Sequence, residues 1–548
     1  MTLSIIIVNY NVEHFLHQCL KSIEKAKQNI ILEIIIVDNN SVDQSIKMLK
    51  KHFSYVKIIQ NTQNVGFAKA NNQAIREASG EYILLLNPDT IIQENTLLKT
   101  IQYLKDHQDV GALGVKMIDG NGEFLPESKR SLPNPMSAFY KIFGFSKVFP
   151  KSKKFGEYHL NYLDENIIHK IDVVSGAFFM TRSKIFQKIG MLDERFFMYG
   201  EDIDLSYRIQ KSGYKNIYFP NTSIIHYKGE STKKTSVNYI IIFYNAMLLF
   251  VKKHYTKHEA RPLIIAIKLA ILIRASISII KQFALKIIQP VIDAITILSG
   301  MYILKDIWAT QYFLDEDYYN NTFLIYMIPI YTIVWLFGIY LQNGYKKPIK
   351  PLNTIKGVFL GSLILLMIYG LLPETLRFSR ALILLGAIWS ITTLTIIRYI
   401  LSLSNIHVFK IQSLNNKKIG VIAQKNEFNR IKKIIEQTTI DYMSVSKIDI
   451  DKESNHSLGH IQQITEIIKI HQINEIIFSA KDVNANQIMR YMSLINRKVN
   501  IKIAPSESTF IIGSNSVHRK GDLYVVRNNK DKKNSIKKFF KKNIDFFN

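Results

Sequence analysis

Three stretches of the sequence carry side chains suited to acid–base or metal chemistry. The first is Asn87-Pro88-Asp89, directly after an apolar run. A carboxylate there can hold a divalent cation that bridges diphosphate oxygens, because hard cations prefer oxygen ligands. Asn-Pro-Asp is also ordinary turn chemistry, and the tripeptide alone favours that plainer reading. The second is Gly200-Glu201-Asp202-Ile203-Asp204-Leu205, which opens a predicted helix running to a stop at Gly213. Acidic residues in a first turn often only complement the helix dipole, but three carboxylates within four positions exceed what capping needs. The helix N-terminus favours the ionised carboxylate, the form a general base requires. The third is His226, which follows the apolar Ile224-Ile225. A lone histidine is more often structural, yet a neutral imidazole can complete a site begun by Asp89.

These residues need a scaffold that gathers them at one edge. Leu3 to Val8, Ile30 to Val37, Tyr55 to Ile59 and Glu81 to Leu86 are short, β-branched apolar runs. Each is long enough for a buried parallel strand and too short for a buried helix. Between the first two, Phe15, Cys19, Leu20 and Ile23 share one helical face, with Lys21, Glu24 and Lys25 opposite. Such alternation predicts an open parallel sheet with helices on both faces, whose ligands gather outside the carboxyl ends of the strands. The polar residues obey that rule. Asn9-Tyr10-Asn11 follows the first strand, Asp38-Asn39-Asn40-Ser41 the second and Asn87-Pro88-Asp89 the fourth.

Beyond residue 258 the character changes. Arg261 to Lys281 is rich in Ile, Leu and Ala but carries Lys268 and Arg274. A charge at bilayer mid-depth costs roughly 2.5–3.5 kcal/mol on insertion scales, so residues 259–282 are expected to form an interfacial amphipathic segment. Residues 283–403 contain four predicted transmembrane helices: Ile287–Leu304, Phe323–Leu341, a short Val358–Leu372, and Ala381–Leu401. Asp306, Asp315, Glu316 and Asp317 outnumber Lys305 in the first connection; Lys346, Lys347 and Lys350 fill the second; Arg398 and Lys410 mark the end of the fourth. This positive-inside pattern places both large soluble parts in the cytoplasm, on a multi-pass protein of the bacterial inner (plasma) membrane. From Lys417, α/β alternation returns, with strands at Ile419–Ala423, Glu475–Ser479 and Val499–Ile503 and a helix at Ile461–His471, giving a Rossmann-like domain over 417–528. Its Gly420-Val421-Ile422-Ala423-Gln424-Lys425-Asn426 lacks the Gly-rich phosphate loop of dinucleotide binders, so a structural or regulatory role without NAD is expected. Residues 529–548 form a basic tail, in which lysines interleave with Phe539, Phe540, Phe546 and Phe547; it is either an interfacial membrane motif or a frayed end.

The chain of 548 residues has 71 Lys plus Arg against 44 Asp plus Glu, a formal charge of +27. Either polyanionic partners such as anionic lipid and phosphorylated substrates explain the excess, or a bias toward Ile, Lys and Asn does. No narrow basic motif accounts for it, and no nucleic-acid partner is expected. A single cysteine, Cys19, excludes disulfide frameworks and cysteine metal clusters. Met1 leads straight into a strand-like run without a signal-peptide pattern, which predicts a cytoplasmic N-terminal half.

The order of short motifs adds a resemblance. Ile7-Val8-Asn9-Tyr10-Asn11, Val37-Asp38-Asn39-Asn40-Ser41, Asn64-Val65-Gly66-Phe67-Ala68-Lys69-Ala70-Asn71-Asn72, Leu84-Leu85-Leu86-Asn87-Pro88-Asp89-Thr90, Ser175-Gly176-Ala177, Gly200-Glu201-Asp202 and His226 follow one another along residues 1–255. The series resembles the GT-A glycosyltransferases of family 2, especially bacterial rhamnosyltransferase-like members. The resemblance implies an α/β GT-A nucleotide-sugar-binding domain at 1–258. It implies that Val8 (through its backbone), Tyr10 and Asp38 hold the base and ribose, that Gly66 permits close backbone approach, and that Asn72 lies near the donor. Asp89 and His226 would bind a divalent cation, Mg2+ or Mn2+, on the donor diphosphate. Asp202 would deprotonate the acceptor hydroxyl, with Glu201 and Asp204 orienting it, in a single inverting displacement. Many relatives carry Asp where this chain has Asn87. The implied partners are a nucleoside-diphosphate sugar, a lipid-linked or polysaccharide acceptor, membrane lipid and other glycan-assembly enzymes; rhamnose is the sugar that the likeness suggests, and uridine-diphosphate sugars stay open.

Residues 283–530 more loosely resemble the N-terminal half of polyisoprenyl-phosphate sugar-1-phosphate transferases. Lys541-Lys542-Asn543-Ile544-Asp545-Phe546-Phe547 looks like the start of that family's catalytic domain, whose acidic residues would lie beyond Asn548. Three classes therefore stand side by side: a glycosyltransferase, a sugar-1-phosphate transferase with an extra domain, and a non-catalytic scaffold that binds a nucleotide sugar. A complete Asp89–Asp202–His226 set argues against the scaffold, which needs no base.

Overall fold

A computed structural model describes residues 2–133, 140, 145–149, 151–227, 237–315, 318–347, 349–403, 409, 417–438, 442–451, 457–496, 498–513 and 523–525. The basic tail 529–548, Lys410, Glu316 and Asp317 lie outside the described residues. The chain divides into two compact units, Met1–Ile273 with Asn416–Asn548, and Arg274–Asn415.

The first unit opens with β1 (Thr2–Asn9), α1 (Glu13–Ala26), β2 (Ile31–Asp38), α2 (Ser45–His52), β3 (Lys57–Gln60), α3 (Phe67–Glu77) and β4 (Tyr82–Leu86). β5 (Thr90–Ile92), α4 (Thr96–Asp106), β6 (Val110–Ile118), β7 (His169–Ile171), β8 (Phe178–Arg182) and β9 (Lys215–His226) complete the sheet, with order β3-β2-β1-β4-β8-β6-β9-β5 and β7 on β9. β1 is parallel to both β2 and β4, and β8 runs antiparallel to β4. The apolar runs are continuous because both faces are covered. Ile5 and Ile7 enter one core with Ile34 and Ile36, while Ile6 and Val8 enter the other with Ile35 and Val37. In-register pairing of β1 with β2 sets Asn9 beside Asp38, so the polar loops start at the same level.

The C-terminal part of the same unit is a second sheet of seven strands: β10 (Lys418–Ile422), β11 (Ser444–Asp449), β12 (Ser457–His460), β13 (Glu475–Ser479), β14 (Asn500–Ala504), β15 (Phe510–Gly513) and β16 (Tyr524–Val525). Their order is β12-β11-β10-β13-β14-β15-β16, and β15 and β16 run antiparallel at one edge. Neither β11 nor β12 stands out in the sequence. Most of their residues are only half buried, so no apolar run marks them.

Among the described residues, the second unit contains four helices long and apolar enough to cross a membrane: Phe283–Phe313, Phe323–Leu341, Pro351–Leu371 and Arg380–Leu403. Residues 259–282 belong to one helix that runs unbroken from Lys257 to Trp308. The third helix is longer than the apolar run suggests; it starts at Pro351, whose fixed φ and missing N–H suit a first turn. Gly338, Gly357 and Gly361 let the second and third helices meet backbone to backbone, leaving no room for a Cβ. The first and last helices are joined by Asp293 and Arg398, fully buried side chains 2.6 Å apart, with Gln289 donating to Asp293 at 3.1 Å. Breaking a buried pair from one side strands the other charge. Asp293→Ala and Arg398→Ala should each cost about 3–5 kcal/mol, and the double variant clearly less than their sum. Denaturant titration in detergent micelles measures the cycle, and additive losses would contradict the pairing.

Candidate active site

The site is built from the loops at the carboxyl ends of β1, β2 and β4. Asp38 is buried and accepts from Asn9 Nδ2 at 2.7 Å and from the Ser41 backbone N–H at 3.0 Å. The Asn11 N–H donates to Ser41 Oγ at 3.0 Å, and the Val42 N–H donates back to Asn11 Oδ1 at 2.7 Å. Asn11 and Asn40 adopt left-handed φ of 56° and 66°, which asparagine tolerates better than most residues. The two loops are thus stitched into one ledge, with Val8 buried beneath it and Tyr10 half-buried on it. Asn39, which the sequence reading assigned no role, is equally buried and donates to Asn64 Oδ1 and to the Gly66 carbonyl, each at 3.2 Å.

Gly66 has φ +88°, and a Cβ there would lie 2.6 Å from the Phe197 carbonyl oxygen. Its close approach is therefore to the protein's own backbone: the Phe67 N–H donates to that carbonyl at 2.6 Å. Asn72 has its partners within the chain. It is buried, donating to the Leu192 carbonyl at 2.8 Å and Glu194 Oε1 at 3.0 Å while accepting from the Leu192 N–H at 3.1 Å. It clamps α3 to the loop that leads into the acidic helix.

β5 pairs antiparallel with β9, setting Thr90 opposite His226. This brings Asp89 Oδ1 to 3.3 Å from His226 Nε2, both side chains being largely buried, with Asn87 Nδ2 at 3.4 Å from the same nitrogen. Beneath them, Cys19 Sγ lies 3.5 Å from Thr90 Oγ1, and burial pushes its thiol up to about 12. It is a core residue. Among the described residues no group of three or more His, Cys, Asp or Glu forms a metal cage. A two-ligand set of one carboxylate and one imidazole fits a cation that takes its other ligands from a diphosphate and water.

The helix Glu201–Lys211 begins after Tyr199 and Gly200, both at positive φ (68° and 86°). Asp202 Oδ2 meets Arg130 Nη2 at 2.5 Å and accepts from the Gly176 N–H at 3.2 Å. Arg130 also donates to the Val174 carbonyl at 3.4 Å, and the Asn87 N–H donates to the Ala177 carbonyl at 3.1 Å. Residues 174–177 therefore connect the Asp202 carboxylate to the Asn87–Asp89 turn. Arg130 escaped the sequence reading because Ser128-Lys129-Arg130-Ser131 has no periodicity and no motif spacing.

The other two carboxylates of the helix behave differently. Asp204 is fully buried and faces Arg208 at 2.8 Å, Lys253 at 2.7 Å and His254 at 2.6 Å. Burial alone would raise its carboxyl, but hydrogen bonds from Lys253, His254 and Arg208 hold it below the ordinary range. It anchors the helix Val237–His254. Glu201 is pushed up to about 8 by burial and then by the neighbouring Asp202 charge.

The family model for glycosyl transferase family 2 matches residues 4–190. The N-terminal domain is a family 2 glycosyltransferase domain. Among relatives of this chain, the N-acetylglucosaminyl-diphospho-decaprenol L-rhamnosyltransferase of Mycobacterium tuberculosis is 22% identical over 305 residues, covering 52% of this chain and 98% of the relative. The rhamnosyltransferase WbbL of Escherichia coli is 28% identical over 233 residues, covering 41% and 82%. Among solved structures, a mannosyltransferase of Pyrobaculum calidifontis in complex with GDP-Man and Mn2+ matches at 16% identity, covering 50% of this chain and 73% of that one, with a TM-score of 0.33. TarS of Staphylococcus aureus matches at 18% identity and a TM-score of 0.31, covering 48% and 41%. The mixed sheet with its acidic turn after the fourth strand is the GT-A arrangement, and sugar transfer from nucleotide sugars is the activity of the domain.

The Glu201 carboxyl generates a pH dependence. Its folded pKa is raised, so its contribution to stability is present in acid and lost as pH rises from the unfolded value, about 4.5, through about 8. Glu201→Gln should remove that slope: relative to wild type the variant gains thermal midpoint progressively between those limits. Thermal scans across pH measure it, and a wild-type-minus-variant difference that does not change with pH would contradict the assignment.

Proposed function

We propose that the chain is an inverting glycosyltransferase that moves a sugar, rhamnose being the leading candidate, from a nucleoside-diphosphate donor to a membrane-linked glycan or polysaccharide acceptor at the cytoplasmic face. The observation that carries the reading is the Asp202 carboxylate, set in the first turn of a helix and joined through residues 174–177 to the Asp89–His226 pair.

In this reading the ledge of Val8, Tyr10 and Asp38 receives the nucleoside. Asp89 and His226 would hold a divalent cation, Mg2+ or Mn2+, which when bound would neutralise charge on the diphosphate leaving group. Asp202 accepts the proton of the acceptor hydroxyl as its oxygen bonds to the anomeric carbon, and the bond to the diphosphate oxygen breaks on the opposite face. The electron pair leaves with the nucleoside diphosphate, and one displacement inverts the anomeric configuration. Arg130 holds the Asp202 side chain in place, and burial disfavours a second negative charge on Glu201 beside it.

Asp202→Asn should lower kcat by roughly 10²- to 10⁴-fold, the usual contribution of a general base, and leave donor KM nearly unchanged. Asp89→Ala should instead raise donor KM and weaken the metal dependence. Nucleoside diphosphate release with a panel of nucleotide sugars measures both. Near-wild-type turnover by Asp202→Asn would sink the base assignment. Release of nucleoside monophosphate dependent on polyisoprenyl phosphate would favour a sugar-1-phosphate transferase instead.

The membrane reading rests on the four apolar helices and the charges between them. Reporter fusions at Tyr312 and Leu376 should lie outside, and fusions at Lys346 and Ile450 in the cytoplasm. An external Ile450 would require the segment before Phe283 to span as well.

A further inference from the structure

The C-terminal sheet has the topology of a nucleotide-binding domain, with its strand order diverging on either side of the β10–β13 junction. In such sheets the ligand crevice lies outside the carboxyl ends of the strands at that switch point. Here an acidic side chain sits where a phosphate would. Asp482 Oδ2 accepts from the Gln424 N–H at 2.9 Å, at the start of the helix Lys425–Glu436. The helix N-terminus that would greet an anion is already served by the chain itself.

The rim of that crevice is occupied by the glycosyltransferase domain. Lys25 on α1 donates to the Ala480 carbonyl in the loop after β13. The Glu94 carboxylate accepts from the backbone N–H groups of Ala485 at 2.7 Å and Asn486 at 3.3 Å, so it caps the helix Ala485–Leu494 of the other domain. Gln93 Nε2 donates to Asn486 Oδ1 at 3.2 Å. An anion at a helix N-terminus is favourable, and here one domain supplies the anion and the other the helix. Apolar groups close the joint: Val12, Phe15, Ile91, Ile225 and Tyr227 share one core with Ile488, Met489 and Met492. The His14 ring lies 4.4 Å from that of Phe510.

The position of this joint matters for the site. Ile91 pairs with Ile225 in the same two-strand ladder that pairs Thr90 with His226. Side chains alternate along a strand, so Ile92 and Ile224 enter the glycosyltransferase core, while Ile91 and Ile225 enter the core shared with the C-terminal domain. The short strand that follows Asp89 and the strand end that carries His226 are therefore gripped from both sides.

We propose that the C-terminal α/β domain is an intramolecular positioning domain, whose former ligand crevice grips α1 and β5 and so fixes the distance between Asp89 and His226. The proposal rests on reading that pair as the donor-diphosphate and cation site. It predicts that loosening the joint weakens nucleotide and metal binding at a site the variants do not touch.

Glu94→Lys places a cation at the N-terminus of the helix Ala485–Leu494, and Ile488→Asp puts a charge in the shared core. Both are made in the full chain. Hydrogen exchange should quicken at residues 90–92 and 224–226 as well as at 485–494. Calorimetric binding of dTDP or UDP with Mn2+ should weaken by about fivefold or more, within the usual range of coupling energies, and kcat should change far less than donor KM. The proposal is overturned if residues 485–494 open while exchange at 90–92 and 224–226 and nucleotide affinity stay at wild-type values. It is equally overturned if neither variant opens residues 485–494. Asp89→Ala serves as the control: unchanged nucleotide affinity there would remove the donor-site reading, and the exchange data would still decide whether the joint fixes those strands.

Discussion

A carboxylate taken out of water is stable only beside a cation or well-aligned N–H donors, and Asp202 has both. Arg130 supplies the cation and Gly176 the N–H, and neither lies near Asp202 in sequence. Meeting that requirement draws three separate segments together: the loop around residue 130, the turn before β8 and the first turn of the acidic helix. The positive-φ pair Tyr199-Gly200 then follows as a consequence, because the chain must reverse sharply to present the helix start to that turn. The same economy governs Asp38, whose two oxygens bind the loops after β1 and β2 into a ledge.

The three acidic residues of one helical turn thus have three different environments. Asp204 faces the helix Val237–His254 and is surrounded by cations; Glu201 is buried, which raises its carboxyl; Asp202 faces Arg130 and the turn at Gly176. Successive helical positions are about 100° apart, so neighbouring carboxylates look in different directions. Identity of residue type says little about role at this spacing, and direction decides.

Much of this was legible in the sequence, for reasons that can be named. The buried strands read as apolar runs because both faces of the sheet are covered, and the polar residues after them fell at the carboxyl ends as the topology requires. Asp89 and His226 were paired by resemblance, and the β5–β9 ladder brings them together. What stayed hidden depended on contacts between distant segments. Arg130 sits in an irregular stretch, where no period marks it. The partners of Asn72 at Leu192 and Glu194 lie 120 and 122 residues away. The half-buried β11 and β12 lack the apolar signal of central strands, and the shared core of the two α/β domains is assembled from residues that each domain's own pattern already explained.

The Asp293–Arg398 pair has a consequence for how the four apolar helices assemble. Its members are 105 residues apart, on the first and last of them. During synthesis Asp293 is made long before its counter-ion exists, and either charge buried alone is strongly unfavourable. The first helix therefore completes its packing only when the last one supplies Arg398. A chain that lacks the fourth helix carries Asp293 without that counter-ion.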